Sequence, residues 1–437
     1  MRYEAEKVPF AIRQGDPIIR IWNSGLEVAV MEIVTERKGW ISVDVLRRGY
    51  FYQAAKNPVE IIITIAIGAT DPVWQDIFRR VRQRCKEADL NLEVDLIEDE
   101  VVSSNEDTPE NGALVHTPYA ERPQISASIG SCGGPSGSLG GYVEVVFAGG
   151  EKKVFGLTCH HVALYRKTEV EGQSELGLTK RSEIDIMSGV FKNGLPFNES
   201  SEYVVHQPSD DDHHYTLKAH EGILLAHREQ ESKLAQKFEF GIGTDRDENI
   251  RTKLRLRMQE VEADIQKLKS FDRGFGHVAA SSGFRLGGLG CNIDWAIVEV
   301  PRHRLGVNQV PAFLPFFDSM ATDQTSDLTP GVQVAKFSRD GSRTRGEFSF
   351  IKSNVNLANS APSKEWVFVS SGELPFSTPG DSGTFVFDYQ QPPAVGGMVI
   401  AGHKWWPWTY VTPIKVILDD IGEKLQGRVN LPSYEDP

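Results

Sequence analysis

Two rhythms of hydrophobic and polar positions divide the chain. Runs rich in β-branched residues come first, and Pro17–Trp22, Leu26–Val30 and Val59–Ile67 read as strands, because branched side chains fit a pleated, half-buried surface. Asp71-Pro72 then opens a helix, with aspartate at the N-cap and proline at the first helical position. Within it Val73, Ile77 and Val81, and beside them Trp74, Phe78 and Cys85, recur at helical spacing. Cys85 fits a core position there, since a free thiol packs as a small hydrophobe. Leu92–Leu96 closes the stretch as a further strand, so residues 1–100 are expected to form a small α/β domain with no catalytic constellation. Residues 101–122 carry Asp, Glu, Ser, Asn and Pro with few apolar positions, the composition of a flexible acidic linker.

The strand rhythm resumes at Tyr142–Phe147, and Gly149-Gly150 turns the chain back through Val154–Leu157 as a hairpin. A helical interval follows. Leu217–Phe238 is a candidate helix, and Ile250, Leu254, Met258, Val261, Ile265 and Leu268 form an amphipathic stripe of coiled-coil type. These predict a helical hairpin inserted at about residues 215–270, packed on the rest of the chain or serving as an arm for a protein partner. The expected class is therefore α+β and multidomain, with residues 123–437 as the second domain.

Candidate chemistry lies in the β-rich half. Gly380-Asp381-Ser382-Gly383 precedes the apolar run Phe385-Val386-Phe387. Glycines at these places allow a tight turn in which the amides of Gly380 and Ser382 point into one cavity. Such a cavity stabilises the oxyanion formed when a serine hydroxyl attacks a carbonyl. The same residues are also common in ordinary turns, so the motif gains meaning only with a base and an acid elsewhere. Gly156-Leu157-Thr158-Cys159-His160-His161 ends an apolar strand with two histidines, and strand alternation favours His161 over His160. Asp294 heads the run Asp294-Trp295-Ala296-Ile297-Val298 and is the candidate acid; Asp185, in Glu183-Ile184-Asp185-Ile186, competes with poorer flanks. The order His, Asp, Ser is one of three known for this constellation.

These segments resemble trypsin/chymotrypsin-like serine peptidases, and more closely their HtrA-like intracellular branch. There a Thr-x-x-His-Val segment, an Asp-x-Ala segment and a Gly-Asp/Asn-Ser-Gly segment carry the triad. Val334–Gly346 is similar to the hairpin opening the second barrel of that fold, and Val395–Gly402 with Tyr410–Ile414 to its pocket strands, so the resemblance covers about residues 120–430. The arrangement is also similar to trypsin-like peptidase domains of filamentous fungi. The resemblance implies a chymotrypsin-like double β-barrel after the N-terminal unit, with the helical hairpin inserted. It assigns His161 as general base, Asp294 as its orienter, Ser382 as nucleophile, and the Gly380 and Ser382 amides as oxyanion hole. It sets Phe376 at the base of a specificity pocket lined in part by Gly402. With phenylalanine there instead of aspartate, small or apolar substrate side chains are expected rather than Arg or Lys. The family's zymogen branch pairs the residue at Asp381 with a new N-terminus, a route that a whole preceding domain makes unsuitable here. Thr384 replaces a commoner glycine, and no PDZ-like module follows the barrel.

Charge and cysteines narrow the setting. The 437 residues carry a formal net charge of −13, which argues against a nucleic-acid or anionic-membrane surface. No 18-residue apolar run occurs, and Met1–Lys7 lacks the plan of a secretory signal. Four cysteines (Cys85, Cys132, Cys159 and Cys291) make no disulfide framework in so long a chain. A cytoplasmic or nuclear, non-secreted location is expected, with the Asn198-Glu199-Ser200 sequon idle. No metal or organic cofactor is expected, and Asp210-Asp211-Asp212-His213-His214 reads as a solvated loop, since adjacent side chains converge poorly on one ion. The expected function is a serine endopeptidase acting on proteins or peptides. The alternative is a catalytically degenerate scaffold binding partners through the helical insertion and N-terminal domain; ester hydrolysis by the same machinery is a third reading.

Overall fold

The computed structural model describes residues 7–88, 92–99, 101–102, 119–164, 190, 193–197, 203–311, 320–357, 362–372, 374–388 and 393–433. Asp185, the Asn198 sequon and most of the expected linker lie outside these.

Near the N-terminus, strand Val59–Ile65 pairs antiparallel with Trp40–Gly49 and parallel with Leu92–Glu98. All of Val59–Ile65 is buried, as a near-continuous aliphatic run requires when both sheet faces are covered. Helix Pro72–Glu87 is capped by Asp71, whose carboxylate accepts from the Val73 and Trp74 amides, and it buries Trp74, Ile77, Val81 and Cys85. Pro17–Ile21 and Glu27–Val34 are helical rather than extended. The physical reason is a stripe that crosses both segments: Ile18, Trp22, Leu26, Val30 and Val34 recur every fourth residue and all are buried. Burial of that helical face overrides the β propensity of its residues.

This unit shares a sheet with the C-terminal half. Trp40–Gly49 pairs along its outer edge with Ser353–Val355, which in turn pairs with Ser363–Ser370. Beyond it, Arg343–Phe348, Gln333–Phe337, Phe385–Asp388, Val395–His403, Trp408–Pro413 and Ser363–Ser370 pair in succession, and the last pairs back with the first. The result is a closed six-stranded barrel. Phe348, Phe368 and Phe376 stack inside it, with centroids 4.9 Å and 5.7 Å apart.

The second large sheet orders Gly427–Asn430, Gly141–Phe147, Lys152–Thr158, Ala296–Glu299, Gly274–Ser281, Val204–His206, Ser128–Ser131 and Gly137–Ser138. Gly137–Ser138 leads within three residues into Gly141–Phe147, so this sheet also returns on itself. Helix Ile414–Leu425 buries Ile414, Ile417, Leu418, Ile421 and Leu425 against the barrels.

Between the Val204–His206 and Gly274–Ser281 strands stand helices Asp210–Glu239 and Asp245–Ser270. Ser209 caps the first, and Thr244 with Asp247 forms a capping box on the second. Ile250, Leu254, Met258, Val261, Ile265 and Leu268 are all shielded on the second helix, and Arg251 and Arg255 both pair with Glu231 of the first. Among the described residues, no helix is long and apolar enough to cross a membrane.

Candidate active site

Strand Lys152–Thr158 delivers a short helix, His160–Ala163, whose first residues are the two histidines. They face different partners. His161 Nδ1 lies 2.5 Å from Asp294 Oδ2, and the His161 amide donates to the other carboxylate oxygen at 3.2 Å. A carboxylate can only accept, so Nδ1 carries a proton, which in a neutral imidazole leaves the lone pair on Nε2. That Nε2 is buried and has no hydrogen-bond partner among the described residues. His160 turns instead to Ser281, with Nδ1 3.0 Å from its hydroxyl. Burial pushes the His160 pKa down to about 4, against the attraction of Asp294, so its ring is neutral.

Asp294 is itself held from behind. Its neighbour Asn292 donates through its amide and Nδ2 to Glu365 at 2.8 Å and 2.9 Å, and the Asn292 carbonyl accepts from Thr412 at 3.0 Å. Glu365 and Thr412 lie on strands of the six-stranded barrel, so the segment carrying Asp294 is tied to that barrel through Asn292.

Ser382 sits in the turn Thr378–Thr384, built on Asp381. The Asp381 carboxylate accepts from the Thr378 amide at 2.8 Å, and the Thr384 amide donates to the Asp381 carbonyl at 3.0 Å. Gly380 and Gly383 adopt φ of +88° and +95°, a region glycine enters freely. Space is equally restrictive: a Cβ on Gly383 would overlap the Ser138 carbonyl and lie 2.6 Å from Thr158 Oγ1.

The first barrel grips this turn. Ser138 donates through its amide to the Ser382 carbonyl and through its hydroxyl to the Gly380 carbonyl, each at 2.9 Å. Thr158, three residues before His161, closes the set by donating to the Ser138 carbonyl at 2.8 Å. The Cys159 thiol lies 3.4 Å from the Val399 carbonyl, which also accepts from the Gly383 amide at 2.8 Å. The serine turn and the histidine helix are thus fixed through shared residues.

Beneath the turn Asp381 meets Lys336, whose ammonium donates to it at 2.6 Å with both side chains excluded from solvent. Ser338 joins this pair, accepting from Lys336 at 2.6 Å. Beside Gly380 packs Arg339: a Cβ there would lie 2.7 Å from its guanidinium carbon. Arg339 in turn pairs with Asp212 in the first turn of helix Asp210–Glu239, and Asp212 also accepts from Ser128 at 2.5 Å.

The acidic run at 210–214 is therefore not a solvated loop. Ser209 caps it as a helix start, where acidic side chains are favoured by the helix dipole, and Asp212 is buried. Among the described residues, two groups could in principle gather a metal: Cys159 with His161 and Asp294, and Cys132 with His206 and Asp210. In the first, burial and Asp294 push the Cys159 thiol well above its ordinary value. In the second, Asp210 already accepts from Arg273 and from the Gly133 amide, both at 2.7 Å.

A cavity of about 20 Å³ opens beside Ser382, lined by Ser377, Gly380, Val399, Ala401, Gly402 and His403 among others. Gly402 stands in its wall. Phe376, expected at its base, is fully buried one layer behind, in the stack with Phe368. Ser377 takes the cavity position, its hydroxyl 2.5 Å from that of Thr409.

Lys336, Ser138, Glu365 and Arg339 were not singled out from the sequence. Lys336 alone carried a signal, as a lone charge inside the apolar strand Val334-Ala335-Lys336-Phe337. The others become visible only when distant segments meet.

No family model matches the chain, and no curated protein matches it. Solved structures do. Thermobifida fusca Protease A is 10% identical with a TM-score of 0.35, covering 71% of this chain and 100% of that one. A Nocardiopsis protease (NAPase) is 12% identical with a TM-score of 0.35 and the same coverage of 71% and 100%. A glutamic acid specific serine protease, described as using a histidine triad in substrate binding, is 12% identical with a TM-score of 0.34. The closed six-stranded barrel and the eight-stranded sheet described above rest on strand pairings and not on these likenesses.

Proposed function

We propose that the chain is a serine endopeptidase built on a chymotrypsin-like pair of barrels. Ser382 Oγ attacks a peptide carbonyl while His161 Nε2 takes its proton and returns it to the leaving amine. Water then repeats the sequence on the acyl-enzyme and restores the serine. Asp294 keeps the imidazole in the tautomer with a free Nε2 and stabilises the imidazolium. The amides of Gly380 and Ser382 bind the oxyanion.

The observation carrying this reading is the 2.5 Å contact between His161 Nδ1 and Asp294, on a helix whose preceding strand residue shares Ser138 with the Ser382 turn. Without a nucleophile to serve, a buried imidazole with an unpartnered Nε2 would be a cost with no return. The cavity of about 20 Å³ holds little more than one or two waters, and Ser377, whose hydroxyl meets that of Thr409, gives its wall a polar group. Small substrate side chains such as Ala or Ser suit it; Arg, Lys and aromatic ones do not. An intracellular setting suits the four free cysteines.

Labelling with an alkyl fluorophosphonate tests the reading. The native chain is expected to label, His160→Ala to label less efficiently at most, and Ser382→Ala and His161→Ala not at all. An unlabelled native chain, or labelling that survives in Ser382→Ala, would overturn it.

A further inference from the structure

Strand Val395–His403 changes neighbours along its length. Between Val395 and Met398 it pairs on one side with Phe385–Asp388, and between Gly397 and Gly402 on the other side with Trp408–Pro413. The first side is released after Val399, whose amide donates to the Thr384 carbonyl at 2.9 Å and whose carbonyl accepts from the Gly383 amide at 2.8 Å. The released end, Ala401 to His403, is also a wall of the cavity beside Ser382. An open strand edge next to a nucleophile is where an extended peptide adds itself by main-chain hydrogen bonds.

That edge is taken by the chain itself. Val101–Val102, on the way out of the N-terminal unit, pairs antiparallel with it, Val102 opposite Gly402 and Val101 opposite His403. As this segment runs forward its partner runs backward, so it travels toward Val399 and the serine turn.

The segment is anchored from within the N-terminal unit. Asp99, two residues earlier, lies 2.9 Å from His403 Nδ1, and its amide donates to the Ile65 carbonyl at 3.0 Å. His403 Nε2 lies 2.8 Å from the Tyr410 hydroxyl, which donates to Asp44 on strand Trp40–Gly49 at 2.9 Å. The side chains of His403, Asp99 and Asp44 are wholly excluded from solvent. This is a built attachment rather than a grazing contact.

We propose that Val101–Val102 is a resident strand on the substrate edge, so that the N-terminal unit restrains the site in cis against extended peptides. The inference rests on the peptidase reading of Ser382. A tethered strand competes at the high effective concentration its attachment provides, and a peptide must displace it to bind. Small acylating reagents, which need no strand edge, are not excluded.

The full-length chain tests this with a paired variant. Val101→Pro together with Val102→Pro removes the amide that faces the strand, whichever of the two it is, since successive amides of a strand point to opposite sides, while Val101→Ala with Val102→Ala keeps the backbone intact. The proline pair is expected to lower KM for a blocked tetrapeptide ending in Ala about tenfold, the scale of one β hydrogen bond. Fluorophosphonate labelling is expected to change little, and the alanine pair to behave like the native chain. Equal KM for native and proline chains, with both labelled by the probe, would overturn the resident strand and leave the peptidase reading standing. A native chain that never labels would bring down the peptidase reading itself, and this proposal with it. Should the proline pair not fold, hydrogen exchange on the native chain decides. Binding of a peptidyl phosphonate is expected to expose the one amide of Val101–Val102 that faces the strand, and protection retained there in the bound state would overturn the proposal.

Discussion

Lys336 and Asp381 form a solvent-excluded ion pair, 2.6 Å between ammonium and carboxylate, directly under the turn that carries Ser382. The same carboxylate also orders the turn by accepting from the Thr378 amide. An internal lysine thus supplies the buried positive charge that offsets the Asp381 carboxylate. Removing one member of a buried pair leaves the other unpaired and costs about 3–5 kcal/mol. Lys336→Met is expected to lower unfolding stability by that amount and to abolish fluorophosphonate labelling. A variant that labels at the native rate would show that the pair does not form the turn.

Arg339 links the helical hairpin to the turn, since it packs over Gly380 and pairs with Asp212. Arg339→Ala is expected to slow labelling about tenfold, and Asp212→Asn to slow it less. Residues in one network couple by about 0.5–3 kcal/mol, so the double variant should fall short of the summed effects. A double-mutant cycle on labelling rates measures this, and strict additivity would refute the link.

Glu365 gives the molecule a pH signature. Burial pushes its carboxyl from 4.5 up to about 7, although Ser363 and Asn292 hydrogen bonds favour the charged form. The folded chain thus holds the proton more tightly than the unfolded chain. The resulting stabilisation is complete below about 4.5 and is lost as pH rises through about 7. Glu365→Gln lacks this titration. Denaturant unfolding of both chains between those limits is expected to show native stability falling relative to the variant by on the order of 3 kcal/mol. A constant difference would mean that Glu365 titrates normally.

Phe376 and Gly402 should separate stability from specificity. Phe376 is stacked in the barrel core, so Phe376→Ala is expected to cost about 3–5 kcal/mol with the order of preferred substrates unchanged. A Cβ on Gly402 would come 2.9 Å from Ser377 Oγ. Gly402→Ala is expected to lower kcat/KM for peptides with a small side chain at the cleavage point about tenfold, the scale of a one-methyl mismatch in a tight site. Peptide-library profiling of both variants checks the split, and a preference altered by Phe376→Ala would place that ring in the pocket.

Much of the N-terminal architecture was legible because local signals agreed with burial: Asp71 and Pro72 marked a helix start, and Val59–Ile65 was aliphatic enough to be a central strand. The stretch from Ile18 to Val34 hides its helical character because each half alone has strand composition. Each is rich in β-branched residues, and only the four-residue spacing running through both reveals a helical face. The candidate site divides in the same way. His161, Asp294 and Ser382 stand in short motifs that a single chain displays. Lys336, Ser138 and Arg339 do their work through partners 45, 242 and 127 positions away, and no local pattern announces such meetings.

Strand Trp40–Gly49 meets Val8–Phe10 along Arg47–Gly49, but at Ser42 and Val43 its outer neighbour is Ser353–Val355, more than three hundred positions later. During synthesis at the usual ribosomal pace this edge waits on the order of 15–60 s for its mate. An uncovered edge beside a run such as Val59–Ile65 invites pairing with other nascent chains. The joined sheet that places Asp44 beside His403 in the finished molecule thus cannot close until nearly the whole chain has been made.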